Sequence, residues 1–244
     1  MLQAVLFDYG HTLLDFQFDE DVWLGGLRDM LVAAGCRPDR AGDLRDDLRR
    51  RLTELPADPD DHAEVVYAEV VTEALAACGC SPGPGLVRAA IEAEHRGWAS
   101  ARHLHPQAHW LLEQVRSRGL RIGIVSNTFD PPDLLHADLA SDGVAERVDA
   151  IVFSSEVGLR KPAPRIYQAV LERLGVEPAD ALFVGDRVRE DVQGPAALGM
   201  RTCLVTYIRV DAGDHGLADS VAASPADVLA AVDRTMAAAA PGKL

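Results

Sequence analysis

Five short apolar runs, at residues 4–7, 121–125, 149–153, 181–184 and 202–206, alternate along this chain with longer stretches of helical periodicity. Short apolar runs fit buried strands, and strands that alternate with helices build βα units whose strands lie parallel in one sheet. In such a sheet the carboxyl ends of neighbouring strands open on one crevice, so residues far apart in sequence share a site. Polar residues stand at or just past those ends. Asp8 follows Ala4-Val5-Leu6-Phe7, and Ser126 with Asn127 follows Ile122-Gly123-Ile124-Val125. Lys161 lies in Gly158-Leu159-Arg160-Lys161-Pro162, and Asp186 follows Ala181-Leu182-Phe183-Val184-Gly185, with Asp191 five residues on. Carboxylates, a lysine and a hydroxyl gathered in one crevice suit phosphate chemistry.

After the first run the pattern changes. Residues 19–34 place Val22, Trp23, Leu27, Met30 and Leu31 at helical spacing ahead of Gly35, and Leu44, Leu48, Leu52 and Leu55 recur at intervals of four, four and three. Residues 62–77 and 85–98 also read as helices, parted by Ser81-Pro82-Gly83-Pro84-Gly85. Residues 16–102 are therefore expected to form an all-helical insert in an α/β core made of 1–15 and 103–244, with hinges at Asp15-Phe16 and His103-Leu104-His105-Pro106. The expected fold class is a Rossmann-like α/β parallel sheet with an inserted helical domain. Beyond the insert, a helix from Gln107 stops at Gly119, Ile166, Val170 and Leu171 mark another over 165–174, and Ala237 to Leu244 reads as a frayed tail.

An apolar content of 48% over 244 residues is ample for a buried core. The 24 Lys and Arg against 38 Asp and Glu give a formal charge of -14, which opposes nonspecific binding to nucleic acid or an anionic membrane. No run approaches the ~18 apolar residues of a membrane span. The first residues read as a strand rather than a basic and apolar leader, so the expected location is cytoplasmic. Cys36, Cys78, Cys80 and Cys203 show neither zinc-site spacing nor a disulfide framework, and reduced thiols are expected.

The four motifs, in this order, resemble the haloacid dehalogenase superfamily of aspartate-nucleophile hydrolases: Asp8 to Thr12 match its first motif, Ser126 its second, Lys161 its third, and Gly185-Asp186 with Asp191 its fourth. The resemblance implies an Mg²⁺-dependent phosphatase that acts on a small phosphorylated metabolite through an aspartyl-phosphate at Asp8. Asp8, Ser126 and Lys161 would be catalytic, and Ser126, Asn127 and Lys161 would hold the substrate. Asp8, the backbone carbonyl of Gly10, Asp186 and Asp191 would hold the metal, and the helical insert would be a cap over the site. The chemistry agrees with the residue types. A carboxylate can attack phosphorus and divide one displacement into two easier ones, lysine neutralises phosphate as a point charge, and Mg²⁺ takes octahedral oxygen ligands with few carboxylates. Thr12 is expected to order the turn after Asp8.

One position departs from the family. Its phosphatases usually carry Asp two residues after the nucleophile, to protonate the leaving oxygen and then activate water, and Gly10 can do neither. General acid–base assistance is typically worth roughly 10²–10⁴-fold. Three outcomes stay open: a substitute donor such as His11, His103 or His105; a substrate needing little protonation, such as an acyl or aryl phosphate; or a catalytically weak binding protein on this scaffold. His11, one position off the usual acid, is expected to point away from the leaving group. A haloacid dehalogenase is disfavoured by the Gly185-Asp186 carboxylate and by Gly10, where that branch has a larger residue, often Tyr; Tyr9 is one position away. Phosphonate cleavage through a lysine would need a lysine in residues 16–102, which have none. Trp23 and Trp98 are expected to pack between helices and Arg49-Arg50-Arg51 to face solvent. Oligomeric state is not legible.

Overall fold

The computed structural model describes residues 1–54 and 61–238; Leu55 and residues 239–244 of the expected tail lie outside the described residues. The chain runs through β1 (Ala4–Phe7), β2 (Leu14–Phe16), α1 (Glu20–Ala33), α2 (Ala41–Glu54), α3 (Tyr67–Ala77), α4 (Pro84–Gly97), β3 (Arg102–Leu104), α5 (Ala108–Ser117) and β4 (Arg121–Ser126). It continues through α6 (Pro132–Ser141), β5 (Ala150–Phe153), α7 (Ser154–Val157), α8 (Pro164–Leu174), β6 (Ala181–Gly185), α9 (Gly194–Ala197), β7 (Arg201–Val205), β8 (Ser220–Ala222) and α10 (Pro225–Ala238).

Six strands form one sheet in the order β5-β4-β1-β6-β7-β8, with every pairing parallel. This is the Rossmann-like α/β class expected from the apolar runs. Strand β1 lies between β4 and β6, with Phe7 opposite both Ile124 and Val184. That register brings Asp8, Ser126 and Asp186 out at neighbouring carboxyl ends. The order of growth reverses beside β1, the place where such sheets leave a crevice. Helix α8 packs Ile166, Tyr167, Val170, Leu171 and Leu174 into a core with Leu6, Val125 and Phe183. Gly123 permits that contact, since a Cβ there would sit 2.8 Å from side-chain carbons of both Leu6 and Val170. The three-residue strands β2, β3 and β8 escape a sequence reading because they are too short to show a period of two.

Two compact units divide the described chain: Met1–Asp15, Leu104–Thr128 and His136–Leu244 in one, and Phe16–His103 with Phe129–Leu135 in the other. The second is helical. Asp19 caps α1 by accepting from the backbone N–H groups of Asp21 and Val22, at 2.8 and 3.1 Å. Leu27, Met30 and Leu31 of α1 meet Leu44, Leu48, Val71, Leu75, Val87 and Ile91 in one apolar cluster. Helices α1 and α4 cross closely at Gly26 and Gly97, where a Cβ on Gly97 would lie 2.9 Å from the Gly26 Cα. Trp23 packs in this core with Arg49 over its ring at 5.2 Å, and Arg49, Arg50 and Arg51 pair with Glu20, Asp47 and Glu73. The segment after Thr128 also belongs here: Phe129 packs on Tyr67 with ring centroids 4.6 Å apart, and Asp133 takes the Arg88 guanidinium.

The reduced-thiol expectation is corrected for two of the four cysteines. Cys36 and Cys80 form a disulfide, with Cα atoms 6.0 Å apart, while Cys78 and Cys203 are free and buried. The cause is a repeated helix ending. Gly35 and Gly79 both have positive φ (72° and 77°), and the N–H groups of Cys36 and Cys80 reach back to Leu31 and Leu75 at 2.8 and 2.9 Å. Each cysteine is thus the residue just past the left-handed glycine of a Schellman motif. No helix among the described residues is long and apolar enough to cross a membrane.

Candidate active site

The carboxylates arrive at the end of β1 or just past β6, and Lys161 comes from the loop between α7 and α8. Asp8 continues β1, its N–H donating to the Val184 carbonyl of β6 at 2.9 Å. The chain then turns tightly, with the N–H groups of Leu13 and Leu14 both on the Tyr9 carbonyl at 3.0 Å. Buried Thr12 donates its hydroxyl to Asp8 Oδ2 at 3.4 Å, which fits its expected role in ordering the turn. Asp186 follows β6, and Asp191 lies in a π-helical turn, Val188–Gln193, of the kind often found at functional sites. Gly185 is required there, because a Cβ would overlap the Asp191 carboxylate. The Asp191 side chain is fixed by the Arg187 N–H, which donates to Oδ2 at 2.9 Å.

Lys161 ties these strands together. Its Nζ donates to Asp8 Oδ1 and to Asp191 Oδ1, both at 2.7 Å, and all three residues are buried. The lysine is aimed by Asn127, whose Oδ1 accepts from the Lys161 N–H at 2.7 Å while its Nδ2 donates to the Lys161 carbonyl at 3.1 Å. The Asn127 carboxamide, expected to assist with substrate, thereby acts as a positioning group for the lysine. Ser126 is buried at the end of β4. The loop beyond it is held by Ser154, whose hydroxyl accepts from the Thr128 N–H at 2.7 Å and donates to its carbonyl at 3.0 Å.

Asp8, Asp186 and Asp191 each offer a carboxylate oxygen within 4.8 Å of the others. Burial raises all three above the usual carboxylate range; Lys161 opposes this at Asp8 and Asp191, Asp191 adds to it at Asp186, and Arg209 opposes it there. For Lys161, burial works against the charge, but Asp191 and Asp8 outweigh it and hold the ammonium above the ordinary lysine value. These groups line a cavity of about 240 Å³ together with Gly10, His11, Ser126, Asn127, Arg160, Arg187, Glu190 and Arg209.

Sequence reading missed the arginines. Arg209 donates its Nε to Asp186 Oδ2 at 2.6 Å and lies beyond the fourth motif, after a strand carrying no polar signature of its own. His11 is among the residues that line the cavity, and its Nδ1 lies 3.7 Å from Asp15 Oδ1. Its φ of 58° is the left-handed conformation, uncommon outside glycine, so alternation along an extended chain does not predict where its ring goes. Burial and Arg209 hold its imidazole below the ordinary pKa. His103 is exposed and His105 lies tilted against Tyr207 with ring centroids 5.2 Å apart; neither lines the cavity.

The chain as a whole is similar to known proteins. The family model of haloacid dehalogenase-like hydrolases matches residues 2–199. A glyceraldehyde 3-phosphate phosphatase of Methanopyrus kandleri is 29% identical over 204 residues, 83% of each chain. A phosphoserine phosphatase of Thermus thermophilus is 32% identical over 158 residues, 58% of this chain and 63% of that protein. Among solved structures, a 2-haloacid dehalogenase from Pseudomonas syringae superposes with a TM-score of 0.71 over 96% of this chain and 99% of its own, at 22% identity, which speaks to fold alone. With its six-stranded parallel sheet and a family match across most of its length, the chain belongs to the haloacid dehalogenase-like hydrolases.

Proposed function

We propose that this hydrolase is a divalent-cation-dependent phosphatase of small phosphorylated metabolites, with Asp8 as nucleophile. The observation that carries the reading is the Lys161 ammonium shared by Asp8 and Asp191 at 2.7 Å each, with Asp186 completing a cluster of buried carboxylates. Among the described residues, Lys161 and Arg209 make the ion pairs to these three carboxylates. An all-oxygen set of clustered carboxylates suits Mg²⁺, on Asp8, Asp186, Asp191 and the Gly10 carbonyl. A bound divalent cation would supply charge neutralisation for the nucleophile and the phosphoryl oxygens.

Asp8 attacks phosphorus and the ester oxygen departs, leaving an aspartyl-phosphate that water then cleaves to phosphate and free Asp8. Lys161 opposes the protonation of the nucleophile that burial favours and faces the charge that develops on the transferring group. Ser126 and the backbone beside it hold phosphoryl oxygens, and Asn127 keeps Lys161 in register. Because Gly10 offers no acid, turnover depends on how stable the leaving group already is. The cavity admits a compact substrate, and the relatives named for glyceraldehyde 3-phosphate and phosphoserine set the same scale. By the family resemblance, substrate selection is assigned to the helical unit.

The test is phosphate release from alkyl, aryl and acyl phosphates with Mg²⁺ or EDTA, for native protein and Asp8→Asn. The expected result is activity that needs both the cation and Asp8, ranked by leaving group. No turnover on any class by folded, Mg²⁺-supplied protein would favour a binding role instead.

A further inference from the structure

The two cations of the carboxylate cluster are not equivalent. The Lys161 side chain is 3% exposed and serves two carboxylates at once, so it cannot leave without stranding both. Arg209 reaches in from the segment after β7 with its side chain 32% exposed, and it serves Asp186 alone among the three. Its Nε and one terminal nitrogen both fall on the same oxygen, Oδ2 of Asp186, which is itself 1% exposed. The segment that carries it is anchored nearby, where the Tyr207 hydroxyl donates to the Thr12 carbonyl at 2.9 Å. The guanidinium therefore has a solvent-facing direction to retreat along, while its backbone stays in place.

From this geometry we infer that Arg209 is a displaceable counter-ion: it holds Asp186 in the cation-free enzyme, and a divalent cation on the carboxylate cluster and the Arg209–Asp186 pair exclude one another. The inference rests on the cation-dependent reading above. A guanidinium 2.6 Å from a carboxylate oxygen and a divalent ion on the same carboxylate repel strongly where solvent screening is weak. Linkage makes the effect reciprocal, so the pair weakens cation binding by the same factor as the cation weakens the pair. The released guanidinium stays in the cavity wall, where Arg160 and Arg187 also stand, and faces the anionic substrate instead of a carboxylate. The pair thus keeps Asp186 ordered, and the cation that displaces it frees a cationic group on the cavity wall.

The experiment is calorimetric titration of Mg²⁺ into native protein, Arg209→Ala and Arg209→Lys at one pH, with melting temperatures in EDTA and in saturating Mg²⁺. Arg209→Ala is expected to bind Mg²⁺ roughly tenfold tighter than native, within the usual range of coupling between sites. In EDTA it should melt below native, and the gap should close in Mg²⁺. Equal or weaker Mg²⁺ binding by folded Arg209→Ala, beside a native protein that does bind, overturns this inference and leaves the phosphatase reading standing. Absence of Mg²⁺ binding by native protein overturns both. Should the alanine variant not fold, native protein labelled with ¹⁵N-arginine gives the decision. The Arg209 Nε–H resonance, assigned by its loss in Arg209→Lys, should shift on adding Mg²⁺; a resonance that does not move refutes the displacement.

Discussion

Both units bury carboxyl groups, and they neutralise them by different means. In the α/β unit, Asp8, Asp186 and Asp191 stand against the charges of Lys161 and Arg209. In the helical unit, Glu94 is 4% exposed and meets neutral donors, the Tyr67 hydroxyl at 3.5 Å and the Trp98 indole N–H. Burial, with the nearby Asp130 carboxylate adding to it, pushes Glu94 up to about 7, with the Trp98 N–H opposing. A fixed cation beside a buried acid opposes the protonation that burial favours, whereas hydrogen bonds from neutral donors oppose it less and leave Glu94 at about 7. That contrast separates the carboxyls of the proposed active site from the one that serves the internal order of its own helices.

The sharpest way to break the contrast is to remove the fixed cation. Lys161→Met leaves Asp8 and Asp191 buried without the ammonium they share, and loss of one partner from a buried ion pair costs roughly 3–5 kcal/mol. Urea unfolding in EDTA should show this loss near neutral pH and a partial recovery on acidification, because the raised carboxyls then take up protons. A loss that does not change with pH would mean that Lys161 contributes packing rather than charge.

The helical unit has a covalent tie that the α/β unit lacks among its described cysteines. Closing 44 residues between Cys36 and Cys80 removes unfolded-state entropy worth up to about 4 kcal/mol. Replacing both cysteines with serine should lower unfolding stability toward that amount, and thiol titration of the protein unfolded without reductant should count only Cys78 and Cys203, which are buried in the fold. Four reactive thiols after unfolding without reductant would remove the tie altogether.

Glu94 tests the other half of the contrast. Its carboxyl is lifted from the ordinary 4.5 to about 7, so the fold binds this proton more tightly than the unfolded chain does. The stability linked to it is fully present below about 4.5 and is lost as pH rises through about 7. Glu94→Gln keeps the hydrogen-bonding shape without the titration. It should therefore gain about 3 kcal/mol over native at about pH 8 and nothing at about pH 4.5. A gain of equal size at both pH values would trace the effect to packing.

How much of this was legible in the sequence follows from which residues carry a periodic or ordered signal. The five buried strands of four to six residues and the amphipathic stripes of α1 to α4 are runs long enough to show their period, and the residues just past the strands mark the crevice without knowledge of the fold. Arg209 carries no such mark, because its meaning depends on Asp186, 23 residues away across β7. The Cys36–Cys80 bond was written in the repeated Gly-Cys after two helices, a signal that a search for zinc or framework spacing passes over. Nor could spacing along the chain show that Phe129–Leu135 packs with the helices. That contact needs Tyr67 and Arg88, from distant helices, to meet it.

The smallest effect bears on the one position where the α/β unit departs from its family. A Cβ at Gly10 would meet nothing within 4 Å, and Gly10 has no positive φ that would strain a side chain, so Gly10→Asp fits the existing backbone. The added carboxyl would stand on the wall of the cavity that holds Asp8. A grafted acid without its own supporting hydrogen bonds recovers only part of the usual assistance, so a gain of roughly tenfold on alkyl phosphates is expected. Acyl and aryl phosphates, whose leaving groups need little protonation, should gain less. If the gain is instead uniform across leaving groups, the new carboxylate is acting on the cation rather than on the proton. If His11→Ala also abolishes turnover in native protein but not in Gly10→Asp, the imidazole that shares this wall had been doing the work of the missing acid.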